Sequence, residues 1–186
     1  MRCRLVGSEM CIRDSWVACA SILMMFAALT SAYIVRRAGG NWLEFQLPSV
    51  FYLNTVTILA SSITLHGSYL AFKKQNFNMY KLLLGISLIL GIAFVVLQYQ
   101  GWTVLSAEGV PLRTNPSGDF VYVLSAIHAV HVLGGIAALV VASLHAYTLP
   151  YKVTPARKLR FELTLTYWHF VDFLWLYLLV FLIQLA

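Results

Sequence analysis

Hydrophobic positions along this chain fall into five long blocks separated by short polar stretches. They run from about Trp16 to Val35, Ser49 to Phe72, Tyr80 to Gly101, Phe120 to Tyr147 and Phe161 to Ala186. Each holds the roughly 20 residues needed to cross about 30 Å of hydrocarbon. A backbone in lipid must satisfy its own hydrogen bonds, so each block predicts a helix. The expected fold class is all-α, a polytopic bundle of five transmembrane helices.

The last block is the least ordinary. Tyr167-Trp168-His169-Phe170-Val171-Asp172-Phe173-Leu174-Trp175 places a histidine, a carboxylate and two indoles inside an apolar run, and Phe161-Glu162 opens it. A charge at the bilayer centre costs about 2.5–3.5 kcal/mol on insertion scales. Glu162 and Asp172 are therefore expected to face protein or water. Positions seven apart nearly superimpose on a helix. That puts Glu162 with His169 and Trp168 with Trp175, while His169 and Asp172 lie within side-chain reach. The pattern is that of a docking helix.

Composition fits a membrane protein: 186 residues, 60% hydrophobic and 11% charged, against about 25% charged in soluble domains. Aqueous enzymes and nucleic-acid binders are disfavoured. The net charge of +6 comes from basic residues scattered between the apolar blocks, a topology signal and not a nucleic-acid patch. Lys73, Lys74, Lys81, Lys152, Arg157, Lys158 and Arg160 fall on one side, Arg36, Arg37 and Arg113 on the other. The richer side is expected in the cytoplasm, with the carboxyl terminus and the Trp102–Asp119 loop outside. Asn115-Pro116-Ser117-Gly118 reads as a turn cluster in that loop. Residues 1–15 show no sustained period and no signal-peptide core. They resemble translated adaptor sequence, so the domain is expected to begin at residue 16, with the native amino terminus missing.

The chemistry-bearing residues leave several readings open. Cys3, Cys11 and Cys19 make no metal-ligand pattern. The five histidines, His66, His128, His131, His145 and His169, occupy three helices without a repeated spacing. His128 and His131 share a face, so haem or metal ligation is weighed against imidazoles bonded between helices. For Glu162, His169 and Asp172 the choice is between structural docking and support of a proton path. Small residues recur at four-residue spacing, Ala27 with Ser31, Ser87 with Gly91 and Gly134 with Ala138, which permits close helix approach in lipid. Gln98-Tyr99-Gln100-Gly101-Trp102 suits an interfacial belt. No nucleophile elbow, phosphate loop or covalent haem motif occurs.

The closing Tyr-Trp-His-Phe-Val-Asp-x-x-Trp, with Phe-Glu seven residues before the histidine, resembles the last helix of subunit III of the haem-copper oxidases. His128-Ala129-Val130-His131-Val132-Leu133-Gly134-Gly135 is similar to the family's His-x-x-His-Val-x-x-Gly stretch. Phe26–Arg37, Leu53–Thr55 with Leu59–Ser62, and Leu84–Gln98 with Trp102 resemble the family's earlier helices in order. The match is to the short five-helix form, associated with Bacteroidetes-type bacteria. The resemblance implies a subunit without a redox centre, itself holding no catalytic, cofactor or metal residue. It implies packing on subunit I, which carries haems and copper, beside subunit II in a bacterial inner membrane. It also implies bound phospholipid and support for proton uptake during oxygen reduction with electrons from cytochrome c. His128, His131, Glu162, His169 and Asp172 fall on the family's motif positions, and Trp168 and Trp175 flank them as candidate docking residues. A quinol oxidase is the alternative, a haem-binding electron carrier a lesser one. One departure stands out: near Ser21-Ile22, where many members carry a glutamate, this chain has no acid.

Overall fold

A computed structural model describes residues 8–40, 42–43, 45–148 and 154–185. Its helices are α1 (Ser8–Ala38), α2 (Val50–Lys73), α3 (Phe77–Ala107), α4 (Pro116–Thr148) and α5 (Pro155–Leu185). All five are long and apolar enough to cross a membrane.

Each apolar block is a helix, but several helices outrun the block that announced them. Helix α3 continues through Gly101 to Ala107, and α5 begins at Pro155, not Phe161. An apolar count reports the length in hydrocarbon, whereas the backbone stays helical for another turn or two beyond it. The turn cluster is corrected too. Asn115 Oδ1 accepts the Ser117 N–H at 2.9 Å, and Pro116 is the first residue of α4. Proline suits that place because a first-turn N–H has no helical partner anyway. Gly118 is required there, since a Cβ would lie 2.4 Å from Val110 Cγ1. At the amino end, α1 is continuous from Ser8, so no structural break separates residue 15 from residue 16. Cys3 lies outside the described residues, as does Lys152.

Helix α5 is the centre of the bundle. It packs against α1, α2 and α4, while α3 packs against α2 and α4, and α1 against α4. The order α1–α4–α3–α2 thus forms an arc around α5, with no extensive pairing between α1 and α2 to close it. The α2–α3 hairpin follows from a tight link at Lys74–Asn76, where Gln75 takes φ 58° and the Asn76 N–H bonds Ala71 O at 3.0 Å. Between these two helices Asn54 Nδ2 donates to Gln98 Oε1 at 2.8 Å. Ser61 donates to Ser87 O at 3.0 Å, and Ser68 to Tyr80 O at 3.0 Å. At the α1 end, Tyr33 is fully buried and packs edge-on to Trp42, Phe120 and Phe181.

Of the small-residue pairs, Ser87 and Gly91 are buried between helices. Ala27 and Ser31 face outward, and Gly134 is exposed. Cys19 is buried as a free thiol, 3% exposed.

Candidate functional site

The unusual residues of α5 divide into an inner and an outer set. Trp168, Asp172 and Trp175 face into the bundle, at 1%, 4% and 1% exposure. Glu162 and His169 lie on the flank, partly exposed. Asp172 is three residues from His169, hence about 60° further inward.

Trp168 fills a slot cut by two glycines. A Cβ at Gly91 on α3 would meet its Cη2 at 2.8 Å, and one at Gly135 on α4 would meet Cε3 and Cζ3 at 2.9 Å. Its Nε1 has no partner among the described residues. Trp175 is tied down at both ends. Its Nε1 donates to Thr55 Oγ1 at 2.9 Å, and the Thr55 hydroxyl donates to Phe51 O at 2.9 Å. Its ring stacks on Phe51 and meets Phe94 edge-on.

His128 is fully buried. Its Nε2 donates to the Val171 carbonyl of α5 at 3.1 Å, which in the neutral ring leaves Nδ1 an acceptor, and Nδ1 is unpartnered. The ring sits between Phe94 and Trp175, centroids 5.7 and 4.9 Å away. His131 turns elsewhere: Nδ1 donates to Ile127 O at 2.8 Å and the ring packs on Phe26 of α1. Tyr167 OH donates to the His131 carbonyl at 3.0 Å. The two imidazoles therefore serve as ties, one from α4 to α5 and one within α4. Among the described residues no three His, Cys, Asp or Glu side chains converge as a metal site.

Asp172 is the anomaly. Neither carboxylate oxygen has a hydrogen-bond partner among the described residues. The Ser62 hydroxyl of α2 lies within reach of the carboxyl group and is paired with His169 Nδ1 at 2.5 Å. Further along the flank, Tyr69 OH donates to Glu162 Oε1 at 2.5 Å, and Lys158 Nζ is 3.8 Å from the same oxygen. His66 of α2 lies between these pairs, its ring 5.8 Å from His169 and 6.4 Å from Tyr69. A polar ladder thus runs along the α2–α5 seam, from Glu162 and Tyr69 through His66, His169 and Ser62 to Asp172. Ser62, His66 and Tyr69 were not singled out as its members by sequence. Their signal was there: a hydroxyl or ring at spacings of four and three residues on one face of α2.

A cleft of about 840 Å³ opens between α1, α4 and α5, with Ala137, Ala138 and Val141 in its wall and His145, Arg157 and Arg160 around it.

A bundle of five helices long and apolar enough to cross a membrane, with several buried polar groups tying one helix to the next, defines a multi-pass membrane protein. Its motifs now have relatives to set beside them. The family model for cytochrome c oxidase subunit III matches residues 39–185, and the chain belongs to that family. It is 32% identical over 163 residues to a probable cytochrome c oxidase subunit 3 of Nocardia farcinica, covering 84% of this chain and 79% of that protein. It is 28% identical over 172 residues to cytochrome c oxidase subunit 3 of Corynebacterium diphtheriae, covering 87% and 82%. A cytochrome bo(3) ubiquinol oxidase subunit 3 of Buchnera aphidicola is 26% identical over 171 residues, covering 89% and 87%. The chain is therefore subunit III of a haem-copper oxidase, part of an oxidoreductase complex.

Proposed function

We propose that this subunit is the non-catalytic brace of a cytochrome c oxidase. It packs on subunit I, where haem and copper reside, within a complex that includes subunit II, and supports proton uptake there. The observation that carries the reading is where the polar residues go. His128, Trp175, Asn54 and Gln98 are all spent on helix-to-helix ties, which builds a rigid membrane body. The subunit lies in a bacterial inner membrane with its carboxyl terminus outside, an orientation supported by the seven cationic residues on the opposite side. The subunit III-like domain is assigned from residue 16 onward. The cleft walled chiefly by α4 and α5 takes a phospholipid: Ala137, Ala138 and Val141 suit an acyl chain, and Arg160 and His145 suit a phosphate, with the Asp14 carboxylate also in the lining.

The test is purification of the oxidase with and without this chain. Loss of sustained turnover without it is expected. Equal oxygen reduction, and equal persistence through many turnovers, overturns the bracing role.

A quinol oxidase is the second reading, favoured by the name of the Buchnera aphidicola relative. A copper-ligand motif in the neighbouring subunit II sequence supports the cytochrome c form, and its absence supports the quinol form.

A further inference from the structure

Sequence spacing singles out His128 and His131 as a pair, and the packing gives both of them to backbone carbonyls. A different pair is left over. His66 of α2 and His169 of α5 meet across the seam between the two helices, ring centroids 5.8 Å apart and planes inclined by 46°. His66 makes ring contacts with His169 and Tyr69 but no hydrogen bond among the described residues. His169 is held from behind. Its Nδ1 is paired with the Ser62 hydroxyl at 2.5 Å, which leaves Nε2 without a partner among the described residues. Both side chains reach the outside of the bundle, His66 exposed and His169 half-exposed.

We propose that this pair binds a divalent transition-metal cation of the zinc or copper class, which clamps α2 to α5. Imidazole nitrogen is a donor those ions favour, and the spacing suits them. A zinc ion stands about 2.0–2.1 Å from a ligating nitrogen, hence about 3.2 Å from the centre of that ring. Two rings on one tetrahedral ion then have centroids about 5.2 Å apart, and a ligand angle of about 130° gives about 5.8 Å. The observed separation therefore falls within the range that a shared ion spans. The χ2 torsion of histidine is broad, so each ring can turn a nitrogen toward the ion while its centroid stays nearly in place. The Ser62 contact is the support a ligating histidine commonly has, a hydrogen bond at the other nitrogen that fixes tautomer and ring direction. Tyr69 links the pair to an anion: its ring lies beside His66 and its hydroxyl bonds Glu162 at 2.5 Å. Lys158, 3.8 Å from the same carboxylate, opposes that charge. Water fills the remaining coordination positions. His66 is about 10 Å along α2 from Lys73, and on the facing flank the Glu162 and Lys158 side chains are 40% and 45% exposed. With two protein donors and no third converging among the described residues, the site is exchangeable, unlike the closed four-ligand centres of structural zinc.

The experiment takes the full chain, free of any histidine tag, in lipid nanodiscs and titrates it with copper(II) under electron paramagnetic resonance. One ion per chain, with hyperfine structure from two imidazole nitrogens and displacement by excess zinc, is expected. Ser62→Ala is expected to keep both nitrogens and weaken binding by about 10- to 100-fold, as loss of a supporting hydrogen bond does. His66→Ala and His169→Ala are each expected to remove one nitrogen from the spectrum and to weaken binding further than Ser62→Ala does. His145→Ala, which removes an exposed imidazole on α4, is expected to change nothing. No saturable copper signal, a two-nitrogen signal that survives His66→Ala, or one that disappears with His145→Ala overturns the site. Unchanged affinity in Ser62→Ala removes the positioning role given to that hydroxyl. Denaturant titration with zinc gives a second reading. A ligand held only by the folded seam raises the unfolding midpoint of the parent chain and leaves that of His66→Ala unmoved. Equal shifts in the two, or none in the parent, overturn the clamp.

Discussion

Enlarging Gly91 by one methyl group tests whether the α5 indole really locks the bundle. In Gly91→Ala the new Cβ would stand 2.8 Å from Trp168 Cη2 and 3.2 Å from Cζ2. Carbon contacts are optimal at about 3.5–4.0 Å, so the overlap is roughly 0.7 Å or more. The ring has no retreat, because the Gly135 backbone presses it from α4 and only 1% of Trp168 is exposed. Overpacking of this kind costs about 1–3 kcal/mol. Replacing a helical glycine returns at most about 1 kcal/mol, so a net loss of about 1–2 kcal/mol is expected. Gly85→Ala is the control, since a Cβ there lies an ordinary 3.7 Å from Tyr147 OH; it is expected to be neutral or mildly stabilising. The assay is denaturant titration of the purified chain in mixed micelles, followed by helical circular dichroism and indole fluorescence. Trp168→Phe removes the clashing Cη2 and Cζ2, so the double variant Gly91→Ala/Trp168→Phe is expected to be more stable than the sum of its parts predicts. If Gly91→Ala unfolds at the same point as Gly85→Ala, or the double variant shows no coupling, the slot is not the lock described.

Three further outcomes follow from the buried polar groups. Asn54→Leu strands the Gln98 amide in the α2–α3 seam and is expected to cost about 1–3 kcal/mol, whereas Asn54→Leu/Gln98→Leu costs less than the single change. A double-mutant cycle in the same titration checks the sign. Asp172→Asn removes an acid whose oxygens lack partners, and stability equal to or above the parent is expected. A loss of more than about 1 kcal/mol would instead reveal a bond to the carboxylate. Tyr69→Phe removes the donor to Glu162. With the Glu162 side chain 40% exposed, water takes over, and the loss is expected to stay within about 1 kcal/mol, read from the same unfolding curve.

Much of this fold is written in hydrophobic block length, because a backbone in lipid has no alternative to a helix. What block length omits is the wet end of each helix: Pro155 and Asn115-Pro116 carry the punctuation of loops yet begin α5 and α4. The site was half legible. A carboxylate and a histidine in an apolar run announce themselves, and a three-residue spacing sets them on adjoining faces. Which side of the chain those faces meet is a different question. Helical geometry says that Trp168, His169 and Asp172 are angular neighbours; only the packing shows that Trp168 looks toward α3 and α4 while His169 looks toward α2. The Gly91–Gly135 slot was hidden as well, since its walls come from helices far apart in sequence.

That inward turn changes how the docking idea must be tested. Val171 and Asp172 are 2% and 4% exposed, so both sit inside this chain's own bundle. Removing the acid at 172 acts first on the subunit's fold, and comparing Asp172→Leu with Val171→Leu would measure internal packing before it measured assembly. A residue that reports docking must be exposed in the lone subunit yet costly to leave in lipid.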